Sequence, residues 1–189
     1  IHLAYDSNSN DVVIAYKANI ASNQGKCAIC SVSGTSLLRS DTVTFTNRIS
    51  TVTRDMDIGF DSNLNKFLIV YKDEDNSDYG TAIVGTISGG TTLSLGTPVV
   101  FNAGETSHFM LSFDTNENRF LSIYSDVSSN TYGKARVATI SGSSVSFGTE
   151  VTFFSDAVGS LASSYDPVED KTLVIVVSST AANKIATAT

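Results

Sequence analysis

A repeat slightly longer than fifty residues constrains this chain more than any other feature. An aromatic residue followed by Asp recurs as Tyr5-Asp6, Phe60-Asp61, Phe113-Asp114 and Tyr165-Asp166, at intervals of 55, 53 and 52 residues. A period in this range marks a repeat architecture, in which one supersecondary unit is used again and again. The internal landmarks keep step. Tyr16, Tyr71 and Tyr124 each lie 11 residues after the opening aromatic, with Val176 in the fourth unit. Gly25, Gly80 and Gly133 follow nine residues on, and Gly34, Gly89 and Gly142, each preceded by Ser, nine residues later. The chain of 189 residues therefore divides into units 1–55, 56–108, 109–160 and 161–189, expected to form one all-β domain or a segment of a larger one.

Each complete unit reads as four strands, here called A to D. Strand A, as in Ile58-Gly59-Phe60 or Leu111-Ser112-Phe113, alternates large and small residues, the period-2 pattern of a strand whose two faces meet different neighbours. Strand B is a nearly continuous apolar run, Val12–Tyr16, Phe67–Tyr71, Phe120–Tyr124 and Leu173–Val177, which predicts burial on both faces. Strand C covers Ala82–Ile87 and Ala135–Ile140, and a Ser-Gly turn leads into strand D, closing on Thr44-Phe45, Val100-Phe101 and Thr152-Phe153. Pro98 lies at the start of a D strand and lacks an N–H, so D is expected to be outermost.

Four antiparallel strands with apolar inner members describe one blade of a β-propeller. The small residues Ala4, Gly59, Ser112 and Ser164, just before the opening aromatics, would let neighbouring blades approach closely. A β-sandwich is the competing arrangement, but its strands should carry one polar face. In the fourth unit Lys184–Thr189 aligns with Lys134–Thr139 on strand C and strand D is missing. The expectation is three complete blades and a truncated fourth, with a free sheet edge that invites another strand. Ile1 in first place points to a processed product or a piece of a longer chain, and its surroundings lack the basic and apolar regions of a secretion signal.

The succession of aromatic-Asp, apolar run ending in Tyr, Tyr-Gly, Ser-Gly, Phe-Gly and a closing Val/Thr-Phe resembles the blade repeat of β-propeller structural proteins common in marine phage and metagenomic sequences. The first unit departs from it with Arg39-Ser40 at the Phe-Gly position, and the fourth has lost its Tyr and its D strand. The resemblance implies a propeller and an extracellular or virion setting, tail or fibre, and brings no active site with it.

The formal net charge of −7 disfavours nucleic acid and anionic lipid as partners. No run approaches the roughly 18 apolar residues that span a bilayer, so membrane insertion is not expected. Cys27 and Cys30 lie three apart on a strand and so point to opposite faces; buried packing is expected of them, not a disulfide or a zinc site. The Asp-x-Asn-x-Asn series after strand A suits a tight turn, whose Asp and Asn side chains bond their own backbone.

Function is expected at the end of the sheets that carries the B-to-C and D-to-A connections. The B-to-C loops, 17–24, 72–79 and 125–132, differ in sequence, and Phe45 to Phe60 spans 15 residues against 12 for the other two D-to-A connections. Variable loops on a rigid scaffold are a common form of binding surface. The candidate contact residues are Asp73, Asp75, Asp78, Tyr79, Tyr132, Arg48, Arg54 and His108. No cofactor is expected; calcium is the ion that the acidic run Asp73–Asp78 would suit, with a solvated loop as the simpler reading. His2 and His108 lie in no nucleophile motif, which argues against catalysis. The expected function is a non-enzymatic structural or adhesion module whose partners are other protein chains or other segments of a longer chain. A carbohydrate-binding, lectin-like propeller is the alternative, and a glycosidase comes third, since two positioned carboxylates are all that its chemistry requires.

Overall fold

The structure is a computed structural model that describes residues 1–19, 23–49, 55–89 and 92–180. These residues form antiparallel sheets and no α-helix. In the first unit β1 (His2–Asp6), β2 (Asp11–Ala18) and β3 (Gln24–Ser33) form a meander, and β4 (Ser36–Arg39) and β5 (Val43–Thr46) both pair with β3. In the second, β6 (Met56–Asp61), β7 (Lys66–Asp73) and β8 (Tyr79–Ser88) repeat the meander, and β9 (Thr92–Leu95) pairs with β8. Next comes β10 (Val99–Asp114), which belongs to two units at once: Val99–Glu105 pairs with β8, and Thr106–Asp114 pairs with β11 (Arg119–Asp126). The third unit continues with β12 (Tyr132–Ser141), β13 (Ser144–Phe147) and β14 (Val151–Phe154), the last two both on β12. The fourth shows the hairpin of β15 (Val158–Asp166) and β16 (Lys171–Ser178). Residues 184–189, aligned with strand C, lie outside the described residues.

Strand D differs from the single strand expected. In each complete unit it is two short segments separated by a break. At the break the N–H of Ser40, Gly96 or Gly148 donates to Ile29, Val84 or Val137 O at 2.9, 2.8 and 2.8 Å, and pairing resumes three residues later. Pro98 sits in the second gap, where no N–H is required. Gly96 has no room for a side chain, because a Cβ would lie 1.8 Å from Ser143 O in the next unit.

The turns follow the side-chain chemistry of the repeat. Asp6, Asp61, Asp114 and Asp166 each accept two backbone N–H groups, from two and three residues on, at 2.8–3.2 Å. The turns end on Asn10, Asn65, Asn118 and Asp170, all left-handed with φ between 53° and 61°, a conformation that Asn and Asp tolerate. Across units, Asn8 Nδ2 donates to Ser62 O (2.9 Å) and Asn116 Nδ2 to Asp170 Oδ1 (3.0 Å). In the C-to-D turns Gly34, Gly89 and Gly142 carry φ near 60° (62°, 58° and 59°).

Packing follows the order of the units. The face of each sheet toward the preceding unit is its upstream face, and the other its downstream face. Downstream Val13, Ala15 and Cys27 of the first unit form one core with upstream Ile58, Phe67, Ile69 and Tyr71 of the second. Downstream Leu68, Val70, Ala82 and Val84 of the second form another with upstream Phe120, Tyr124 and Ala138 of the third. A smaller cluster joins Phe153 and Phe154 to Val158 and Val176 of the last hairpin. The second sheet is thus buried on both faces, as the unbroken apolar run in β7 predicts. Gly59 shows how small residues set the spacing: a Cβ there would come within 2.5 Å of the Phe120 ring of the next unit. Cys27 and Cys30 are unbonded, buried and on opposite faces, and burial pushes the Cys27 thiol up to about 12.

A candidate contact surface at one end of the sheets

The B strands of the second and third units end on the same residue type, Asp73 and Asp126. Each is followed by a single 3-10 turn, Glu74–Asn76 or Val127–Ser129, and then by two left-handed residues, Ser77 and Asp78 or Asn130 and Thr131. The Asp73 carboxylate accepts from Asp75 N at 3.3 Å across the first turn. The carbonyl of the second left-handed residue then accepts an N–H from the D-to-A connection of the same unit. Asp78 O takes Thr106 N at 3.1 Å and Thr131 O takes Val158 N at 3.0 Å, while left-handed Asn23 takes Ile49 N at 3.0 Å in the first unit. These connections differ in sequence but share a backbone, because the side chains that vary are not the ones that hold it. The B-to-C and D-to-A connections therefore meet at one end, as the strand order requires.

Charge at that end is concentrated on the second unit. Lys72 Nζ lies 2.9 Å from Glu105 and 3.8 Å from Asp78. Burial alone would lower its pKa, but the hydrogen bond to Glu105 and the charges of Asp78, Glu105 and Asp55 hold it above the ordinary lysine value. Arg48 reaches Glu74 at 3.3 Å, and Thr46 Oγ1 donates to Asp73 at 3.3 Å. Burial raises the Asp73 carboxyl above its usual range, against the hydrogen bonds from Asp75 and Thr46. Glu105 N donates to Ser128 Oγ in the third unit at 2.7 Å. The network thus runs from the end of the first unit to the loop of the third, and of the acids in residues 73–78 it leaves Asp75 exposed and the others half-buried.

Of the residues singled out in the sequence, Arg48, Asp73 and Asp78 are joined in this network and Asp75 projects from it. Tyr79 and Tyr132 open β8 and β12 at equivalent positions, half-buried and opposite Asp73 and Asp126 in register. His108 lies inside β10, at a bulge where its own φ is 53°, with Nδ1 2.9 Å from Ser107 Oγ. Arg54 lies outside the described residues. Sequence reasoning missed Lys72 and Glu105. Lys72 stands directly between an apolar run and a string of acids, which is a readable signal; Glu105 is brought in by the crossing of β10, which is not.

A second open feature lies at the opposite end of the chain order. Among the described residues β16 pairs only with β15, so its other edge carries no strand. Beside it a cavity of about 420 Å³ is walled by Leu121, Val137, Val151 and Phe153 of the third unit and Tyr165 and Thr172 of the fourth. Leu68 and Val84, the equivalents of Leu121 and Val137, are covered by the strands of the next unit. No three His, Cys, Asp or Glu side chains come together as metal ligands among the described residues. No protein-family model matches the chain, and no curated protein matches it.

Proposed function

We propose that the chain is a non-enzymatic structural or adhesion module of β-propeller type, its units acting as blades, within an extracellular or virion assembly such as a tail or fibre. It makes protein contacts through its variable loops and a free sheet edge. The observation that carries this reading is the way polar groups are used. The recurring Asp and Asn side chains are committed to turns and to contacts between units, and the charged side chains of the loops are mostly paired with one another. Among the described residues what remains open is one edge of β16, a cavity between the third and fourth units and the tip of an acidic loop, which suit protein contacts more than chemistry. Such an edge accepts an extended segment by strand addition.

The test is placement and binding together. Mass spectrometry of purified extracellular particles is expected to find the chain as a stoichiometric component. Glycan-array binding abolished by Tyr79→Ala or Tyr132→Ala would move the reading to a lectin. Hydrolysis of a sugar polymer abolished by one loop carboxylate substitution would move it to a glycosidase.

A further inference from the structure

The first and last sheets each leave one face open, and the two faces are of opposite kind. The upstream face of the first unit carries Leu3, Tyr5, Val12, Ile14 and Tyr16, aligned with Ile58, Phe60, Phe67, Ile69 and Tyr71 of the second. In the second unit Ile58 is 5% exposed beneath the first sheet, whereas Leu3 is 62% and Tyr5 57% exposed. The downstream face of the fourth unit carries Leu173, Ile175 and Val177, at 46%, 39% and 41% exposure, with the small Ser164 beside Leu173 in register. Its equivalent in the second unit, with Leu68, Val70 and Gly59, is covered. The residues named are uncharged, while Lys26 and Arg39 share the first-unit face, opposite Tyr16 and Cys30 in register, and Asp166 and Lys171 share the fourth-unit face, so charges of both signs are present where the two faces would meet.

We infer that a second copy of this chain docks here, its fourth-unit downstream face seated on the first-unit upstream face. The inference rests on the scaffold reading above and supplies its partner. Its ground is continuity. The same downstream-on-upstream contact joins first unit to second and second to third, and the upstream face of the fourth is buried in the same sense through Val174 and Val176. A further unit of this repeat fits each open face by the rule that built the interior. In the described structure both faces are open, so the partner of each comes from outside this set of strands. The contact is heterologous, so copies associate head to tail into a closed ring or an open array.

Sedimentation equilibrium of the whole 189-residue chain tests this, with Leu3→Asp to disable one face and Leu173→Asp the other. The wild-type average mass is expected to rise above the monomer's 20.0 kDa with concentration. Each variant alone is expected to stay monomeric, because its intact face finds no complement. An equimolar mixture of the two is expected to reach twice the monomer mass and stop there. A wild-type chain that stays monomeric at high micromolar concentration overturns the inference, as does a mixture that stays monomeric while the wild type associates. Far-UV circular dichroism checks the fold of each variant, and Tyr5→Lys with Ile175→Lys replaces the pair if either aspartate is not tolerated. A folded, cooperatively unfolding monomer counts against pairing between copies alone, since the scaffold reading is tested on particles.

Discussion

Ile14 and Ile69 are the same residue at the same place in the repeat, yet they live in different surroundings. Ile69 lies under the first sheet and is fully buried; Ile14 lies on the open face of the first sheet and is half-buried. Leu68 and Leu173 make the same comparison on the other face, one fully buried and the other 46% exposed. Each unit carries an apolar face for a neighbour whether or not the described chain provides one. Interior and end units therefore differ in what covers their strands, more than in the strands themselves.

Substitution should reproduce that difference. Ile69→Ala is expected to destabilise by about 2–5 kcal/mol, the range for emptying a buried aliphatic site. At a protein concentration low enough to prevent association, Ile14→Ala should cost about 1 kcal/mol, since part of its surface already meets water. Chemical denaturation of both checks this, and equal costs would break the comparison.

A second contrast is polar. Tyr71 and Tyr124 close the apolar runs in the B strands of adjacent units, both fully buried. Tyr124 donates to Glu150 at 2.6 Å, and Lys134 holds the same carboxylate at 2.7 Å. In the second unit the positions of Glu150 and Lys134 are taken by Pro98 and Thr81, and the Tyr71 hydroxyl has no hydrogen-bond partner among the described residues. Tyr124→Phe is therefore expected to cost about 1 kcal/mol, and Tyr71→Phe nothing or a slight gain, because it removes an unsatisfied buried hydroxyl. Unfolding free energies of the two variants decide it.

Glu150 adds a pH dependence. Burial by itself would raise its pKa, but the hydrogen bonds from Lys134 and Tyr124 and the charges of Lys134 and Arg136 hold it below the ordinary glutamate value. A carboxyl lowered by folding contributes stability that is fully present above its unfolded pKa and fades as pH falls through the folded one. Stability should thus decline on acidification below the usual glutamate range, and Glu150→Gln should flatten that part of the profile. An unchanged slope in the variant would mean that Glu150 does not set this pH dependence.

The loops give the smallest expected effect. Because the two 3-10 turns share a backbone, replacing residues 74–78 by the sequence of residues 127–131 should change stability by less than about 1 kcal/mol, the worth of exposed ion pairs. Thermal unfolding checks this; a large loss would show that the charged network shapes the turn.

Much of this was legible in the sequence because the repeat compares the chain with itself. The aromatic-Asp landmarks gave the strand boundaries, and the Asp and Asn spacing gave turns that the carboxylates do cap. Less legible was the break in strand D, since only Pro98 announces it while Ser40 and Gly148 do the same work silently. The course of β10 through two sheets was hidden because Asn102, Gly104, Thr106 and Ser107 are residue types that read as a loop between strands. At the candidate surface the acidic run was visible, but Glu105, thirty-three positions along the chain from Lys72, reaches it only through folding. Different loop sequences suggested different loops, whereas two left-handed residues and one carbonyl contact fix the same path in both.

The second and third sheets stack with Gly59 beneath the Phe120 ring, and this contact offers the most direct test of the stacking order. Unfolding free energies of Gly59→Ala measured in the wild-type and Phe120→Leu backgrounds form a double-mutant cycle. The added methyl is predicted to cost about 1–3 kcal/mol beneath the phenyl ring and much less beneath leucine. The same cost in both backgrounds would mean that the second and third sheets do not meet at this contact, and the stacking order would have to be abandoned.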